Sequence, residues 1–357
     1  MNNSSLISEL KLLASHLSPS SFEDDVQEYF LSTCNKHCDA KWKDVLGNAY
    51  IRLKGKSNFK IMIAAHADEI GFIITNVLEQ GYLSFARIGG VNASFLQGRE
   101  VVIHHENSFV SGVIGKRRDI NNEDSNVSFE NLWIDIGCFS KREALKKVSI
   151  GDVVTFKPNF TKISNGIICS KSMDNRSGLL IMEDLGNFFY NKDIIPEIYL
   201  VATVQEEIGC RGIMTAVYNV NPDVCIILDV THATDYPGNN SNISGDIHLS
   251  QGAVISFGAD VNMQLQNVFK KICIERKIKF QIEVNGKSSY TDAGNAQLSR
   301  QGIVCGLLSI PCRYMHTPVE MISLSDINSC SNILKEFITN FQKWENALPL
   351  KKGEQIC

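Results

Sequence analysis

The chain has 357 residues and a formal net charge of −4, which allows a large core and two domains but gives no electrostatic case for a nucleic-acid or membrane-surface partner. No window reaches the ~18 consecutive apolar residues that cross a bilayer, and the opening Met1-Asn-Asn-Ser-Ser-Leu-Ile-Ser-Glu9 has neither the basic nor the apolar region of a secretory signal. Eleven cysteines at irregular spacing, among them Cys225, Cys273 and Cys305 inside apolar stretches, read as reduced thiols of a cytoplasmic protein, not as a disulfide framework.

Leu6, Leu10, Leu13 and Leu17 recur at helical spacing and Ser18-Pro19 ends that helix. Ser21 with Asp24 has the form of an N-cap for a second helix reaching to about Cys34. Cys34, His37 and Cys38 stand together, but no second cysteine pair completes a structural zinc site. Asp44-Val-Leu-Gly-Asn48 is a turn between two short strands, and Lys60–Ala65 is a buried strand that runs into His66-Ala-Asp-Glu69. From Phe72 to about Ile163 the texture changes to short β-type runs: Phe72–Val77, Tyr82–Ile88, Glu100–His104, Ser108–Ile114, Asn131–Ile136 and Asp152–Phe156. A single helix at Lys141–Val148 and a polar, mobile loop at Arg118–Val127 interrupt them. This spacing predicts a small β-barrel or sandwich inserted after the first central strand. At Ile167 the α/β texture returns. Ser172–Gly178 is a polar turn opening an apolar helix over Leu179–Phe189, followed by strands near 199, 225 and 254 and a helix over 263–277. A last strand near 303–309, an amphipathic helix over 325–344 and a basic, frayed tail from Leu348 complete the pattern.

Several of these strands end in chemistry. Tyr199–Val204 runs into Glu206 and Glu207, Val224–Leu228 into Asp229, and Gly306–Pro311 leads after four residues to His316. Ligands of an open parallel sheet sit beyond the carboxyl ends of its strands, and acids gathered there are costly to bury without cations or protons. Each alone is compatible with a solvated acid or a helix cap; their convergence on one edge is not. Histidine and carboxylate without cysteine suit Zn²⁺, Co²⁺ or Mn²⁺. The candidate ligands are His66, Asp174, Glu207, Asp229 and His316. If Asp174 bridges two ions, each receives three protein ligands and keeps a position for a shared water, the open arrangement of a catalytic site. Asp68, two residues from His66 on the same side of an extended strand, is placed to accept the free ring N–H. Glu206 is left as the general base, with Glu207 turned the other way because neighbours on an extended chain face opposite sides. His16, His37, His104 and His105 read as surface or hydrogen-bonded side chains. His232 stands nearer the site, and Arg313 either binds a substrate carboxylate or braces Asp229.

His66-Ala-Asp-Glu-Ile-Gly71, Met173-Asp-Asn-Arg-Ser-Gly178, Thr203-Val-Gln-Glu-Glu-Ile-Gly209, Asp229-Val-Thr-His-Ala233 and Ile310-Pro-Cys-Arg-Tyr-Met-His-Thr-Pro-Val-Glu320 together resemble the M42 family of dinuclear metallo-aminopeptidases, the glutamyl aminopeptidases and tetrahedral TET peptidases. Ile88-Gly-Gly90 and Gly151-Asp152 extend the resemblance through the insert. It implies an α/β chain with a three-layer zinc-exopeptidase-like catalytic domain, residues 1–71 plus 164–357, interrupted at 72–163 by a small β-barrel-like domain for oligomerisation into a hollow dodecamer. It also implies two divalent ions per subunit, zinc first, with cobalt or manganese in its place. His66 and Asp229 would hold one ion and Glu207 and His316 the other, with Asp174 bridging, Asp68 as orienting acid and Glu206 as base. The substrates implied are short peptides with a free N-terminus.

A related N-deacylase, dipeptidase or carboxypeptidase would need the same metal-activated water, and only the resemblance separates these from an aminopeptidase. A glycosidase needs two carboxyls and no metal pair. A serine hydrolase is disfavoured by the lack of Gly-x-Ser-x-Gly. A nucleotide site is disfavoured because Gly286-Lys287-Ser288 has Gln281 where a phosphate loop needs glycine. A non-enzymatic metal-binding cage would leave Glu206 without a role.

Overall fold

In the computed structural model, residues 3–33, 38–117, 128–239 and 245–348 are described. Cys34, His37, the Arg118–Val127 segment and the tail after Leu348 lie outside the described residues. Strand Lys60–His66 shows how the sequence builds the larger half. Its residues alternate between two buried layers: Ile61, Ile63 and Ala65 join one core and Met62 and Ala64 the other. Both faces of the strand are therefore covered, which is why the run is apolar throughout.

The sheet has eight strands in the order Ala40–Lys43, Ala49–Leu53, Glu197–Thr203, Lys60–His66, Val224–His232, Val304–Cys312, Ala253–Gly258, Phe280–Asn285. The central four pair in parallel, from Glu197–Thr203 through to Val304–Cys312. Helices Asn3–Ser15, Met173–Phe189, Met263–Arg276 and Leu324–Thr339 bury apolar side chains on one face. Arg211–Val220 and Asp292–Ala296 cover the other, so the architecture is three-layered α/β.

The insert is a closed barrel of six strands: Gly71–Val77, Leu83–Ile88, Leu132–Asp135, Ser108–Lys116, Glu100–His105 and Val153–Phe156. Phe72, Ile74, Leu83, Ile103, Ile134 and Phe156 fill it as a separate core, with Phe85 and Phe156 edge-on to Phe72. Closure leaves no free sheet edge.

Departures from the sequence reading are local. Phe160–Ser164 lies outside the barrel, paired with Ile167–Ser170, which in turn pairs with Glu320–Ser323. The expected helix at 141–148 shortens to Lys141–Ala144. The C-terminal helix breaks at Asn340 into Leu324–Thr339 and Phe341–Glu345. Ser21 has φ of 76° and its amide donates to Glu23, with the second helix beginning at Asp24. Strand Phe280–Asn285 and helix Arg211–Val220 carry no counterpart in the sequence reading. Among the described residues no helix is long and apolar enough to cross a membrane, and every cysteine is a free thiol.

Candidate metal centre and active site

The parallel strands end on one edge, with His66 in register with Thr203. Just past Thr203 the chain turns instead of staying extended. Gln205 adopts φ of 57°, and the amides of Gly209 and Cys210 return to the Glu206 carbonyl. Asp68 fixes this turn: its carboxylate accepts from the Glu206 amide at 3.0 Å, the Glu207 amide at 3.1 Å and Ser20 Oγ at 2.6 Å. Glu206 and Glu207 are thus separated by turn geometry, not by strand alternation. His66 Nδ1 is hydrogen-bonded to the Asp68 carbonyl at 3.2 Å, with Asp68 Oδ1 3.4 Å away, which orients the ring with Nε2 toward the site.

Asp174 sits at the start of helix Met173–Phe189, where it and Asn175 depart from helical backbone angles and are joined by a cis peptide. Asn175 Nδ2 ties this end to the Leu228 carbonyl at 2.8 Å and to Asp229 at 3.3 Å. The sequence reading assigned no role to Glu320. This buried carboxylate accepts from the Asp174 amide at 3.0 Å through one oxygen and the His316 amide at 2.9 Å through the other. It therefore holds two segments far apart in sequence. Beneath them Glu69, Lys171, Ser172 and Arg176 form a buried polar network, with Lys171 Nζ 2.6 Å from Glu69 and Arg176 bonded to the Ala67 carbonyl at 2.6 Å.

The five candidate ligands meet. His66 Nε2 lies 2.9 Å from Asp174 Oδ1 and 3.6 Å from Asp229 Oδ1. His316 Nε2 lies 3.3 Å from Asp174 Oδ2 and 3.4 Å from Glu207 Oε2. Two triads result, His66–Asp174–Asp229 and Asp174–Glu207–His316, each with its donor atoms within 4.8 Å of one another and each using Asp174.

The electrostatics follow from this crowding. Burial, then the Asp174 charge, pushes the Glu207 carboxyl up to about 8. Burial and neighbouring Asp229, Asp292 and Glu207 raise Glu206 well above the carboxylate range. Burial opposes ionisation of Asp174, but hydrogen bonds from His316 and His66 outweigh it and hold that carboxyl low. Burial likewise opposes charging of His316, yet Asp174 and Glu207 raise it to about 10. Carboxylates and imidazoles crowded together in a buried site perturb one another in this way, and cations relieve the crowding. Borderline divalent ions fit this set of nitrogen and carboxylate oxygen donors.

The site opens into a cavity of about 610 Å³. His66, Asp174, Glu206, Glu207, Asp229, His232 and His316 line it, with Gly90 of the barrel. Arg313 is not among the lining residues. Its Nε and Nη2 grip both oxygens of Asp235 at 2.7 and 2.6 Å, so it braces Asp235 and not Asp229. His104 and His105 bond Thr155 and Asp152 in the barrel. His16 packs on Tyr29. Two further residues had no place in the sequence reading. Cys210 Sγ donates to Glu206 at 3.2 Å, and buried Asp292 accepts from Thr203 at 2.7 Å.

A three-layer α/β fold with such a site beyond the carboxyl ends of its parallel strands is of the zinc-exopeptidase-like class. The family model described as M42 glutamyl aminopeptidase matches residues 47–333. The chain belongs to the M42 peptidase family and is a hydrolase of the aminopeptidase type. A putative aminopeptidase of Acetivibrio thermocellus is 33% identical over 95% of this chain and 100% of its own. An aminopeptidase structure from Desulfurococcus kamchatkensis superposes with a TM-score of 0.92 at 31% identity, covering 98% of this chain and 99% of that one. The Pyrococcus horikoshii TET1 peptidase, which assembles into a tetrahedron or an octahedral shell, gives 0.84 at 26% identity over 93% and 99%.

Proposed function

We propose that this chain releases amino acids one at a time from the N-terminus of short peptides, with two divalent cations per subunit. His66, Asp174 and Asp229 would hold one and Asp174, Glu207 and His316 the other; zinc suits the donors best, with cobalt or manganese able to replace it. When bound, such a pair polarises the scissile carbonyl and acidifies the attacking water. Glu206 lines the cavity beside both triads and belongs to neither, clustering instead with Cys210 and Asp292, so its carboxylate takes the water proton and passes it to the leaving amine. Asp68 fixes the turn that sets Glu206 and Glu207 apart and keeps His66 Nε2 directed at the site. The carboxylate-rich wall receives the free α-amino group.

The observation that carries this reading is the sharing of Asp174, one oxygen toward each histidine. We assign residues 1–71 and 164–357 to catalysis and the 72–163 insert to assembly of a homo-oligomer of the dodecameric kind. Exposed Phe109, Phe139, Leu145 and Ile150 on the insert support that role. The free thiols suit the reducing cytoplasm. The test is mass spectrometry of the metal-loaded protein acting on two matched peptides, one N-acetylated. Stepwise N-terminal release from the free peptide alone is expected. Equal cleavage of both, or release from the carboxyl end, would move the reading to a deacylase or a carboxypeptidase.

A further inference from the structure

A glutamyl side chain entering the cavity needs a cation to meet its carboxylate, and among the described residues no lysine or arginine lines the cavity. Arg313 is committed to both oxygens of Asp235. Lys287 precedes the lining residue Ser288 but does not itself line the cavity. What stands behind the lining is negative. Glu283 accepts from Thr231 Oγ1 at 2.6 Å, Ser256 Oγ at 3.1 Å and Asn285 Nδ2 at 3.3 Å. Asp260 accepts from the Ser289 amide at 2.5 Å, Ser289 Oγ at 2.9 Å, Ser288 Oγ at 3.1 Å and Gln297 Nε2 at 3.4 Å. Every one of these donors is neutral, so each carboxylate keeps its charge uncompensated by them. Thr231, Ser288 and Ser289, which line the cavity, form a hydroxyl layer in front of both.

The two triads and Glu206 do not change the sign of this field. Two divalent ions offset the four carboxylates Asp174, Glu206, Glu207 and Asp229; Glu283 and Asp260 stay outside that balance, with buried Asp68 and Asp292 adding to the same sign. A long cationic side chain suits such a wall. Its stem can lie on Val230, Met315 and Tyr290, while its head donates to the hydroxyls and faces the carboxylates behind them.

We infer that the cavity selects peptides beginning with lysine or arginine and rejects those beginning with glutamate or aspartate, with Glu283 and Asp260 as the specificity-determining carboxylates. The inference rests on the aminopeptidase reading above and names its substrate class. The test compares kcat/KM of the metal-loaded, full-length enzyme on four peptides identical except for N-terminal Lys, Arg, Leu or Glu. Lys and Arg should exceed Leu about tenfold and Glu by ~10², the range that one attractive or repulsive charge contact in a partly desolvated site supplies. Glu cleaved as well as Lys overturns the inference. Glu283→Gln and Asp260→Asn, made singly and together and checked for metal content, should lower the Lys-to-Leu ratio about tenfold in the double variant. A ratio that stays constant in a metal-replete variant removes these two residues from the role. Calorimetric binding of free lysine and free glutamate to the wild-type holoenzyme reads the preference without turnover. Tighter lysine binding with no peptide cleaved would sink the aminopeptidase reading and keep the charge preference; equal or tighter glutamate binding would sink the preference itself.

Discussion

His66 and Asp229 reach Asp174 from two central strands that are hydrogen-bonded in parallel, and their side chains are only 2% and 6% exposed. Glu207 and His316 reach it from loops; His316 has φ of 61° and a side chain one-third exposed. The first half of the site is set by the sheet, whose register is locked by packing on both faces. The second half is set by Asp68, by Glu320 and by the barrel, whose Gly89 and Gly90 stand against Glu207 and His316. One half thus tolerates little movement, while the other depends on parts of the chain that move more readily than a central strand.

The largest effect should come from the residue both halves use. Asp174→Ala is expected to abolish activity and bring metal content to near zero; two ions per chain in that variant, by atomic absorption, would dissolve the shared-ligand account. Next, Glu320→Gln keeps an acceptor for one of the Asp174 and His316 amides and sets an NH2 donor against the other, a loss of roughly 1–3 kcal/mol in a buried setting. It should weaken metal retention at the loop half more than at the sheet half, read as two unequal steps in a chelator titration. Equal weakening of both steps would break the comparison. A narrower probe is Gly90→Ala. A Cβ there would lie 2.7 Å from His316 Nδ1, so His316 must shift. One ion should be lost about tenfold more easily while the other is retained, and an unchanged titration would mean that the barrel does not support the site.

The smallest effect is a pH trend in the metal-stripped protein. Glu207, raised to about 8, stabilises the fold below its unfolded value near 4.5 and loses that contribution as pH climbs through 8. His316, raised to about 10, contributes fully below 6.5 and loses its share as pH climbs toward 10. Both signs agree, so the melting temperature of the stripped protein should fall between pH 5 and 9, and metal loading should remove the trend. A flat or rising profile for the stripped protein would show that the loop half is not charged as described.

The same division explains what the sequence made legible. His66, Glu206 and Asp229 stood out because an apolar run buried on both sides ends abruptly in a charged group, and only a strand edge in a parallel sheet accounts for that repeatedly. The barrel was readable from strand spacing, although its last strand ends at Phe156, before the expected limit of 163. Loop geometry was not readable. The separation of Glu206 from Glu207 depends on Gln205 in a left-handed conformation and on acceptors supplied by Asp68, which no local pattern encodes. Arg313 pairs with Asp235 across a turn without periodicity, and strand Ile167–Ser170 finds its partner only at Glu320–Ser323. Such contacts join segments distant in sequence, and a single chain gives no covariation from which to find them.

The central claim is that Glu206 serves the water and not the cations, and Glu206→Gln tests it most directly when metal content and turnover are measured on the same preparation. The account predicts two ions retained per subunit and kcat reduced by roughly 10²–10⁴, the usual contribution of a general base. Loss of an ion from the variant, or turnover within a few-fold of the wild type, would contradict it.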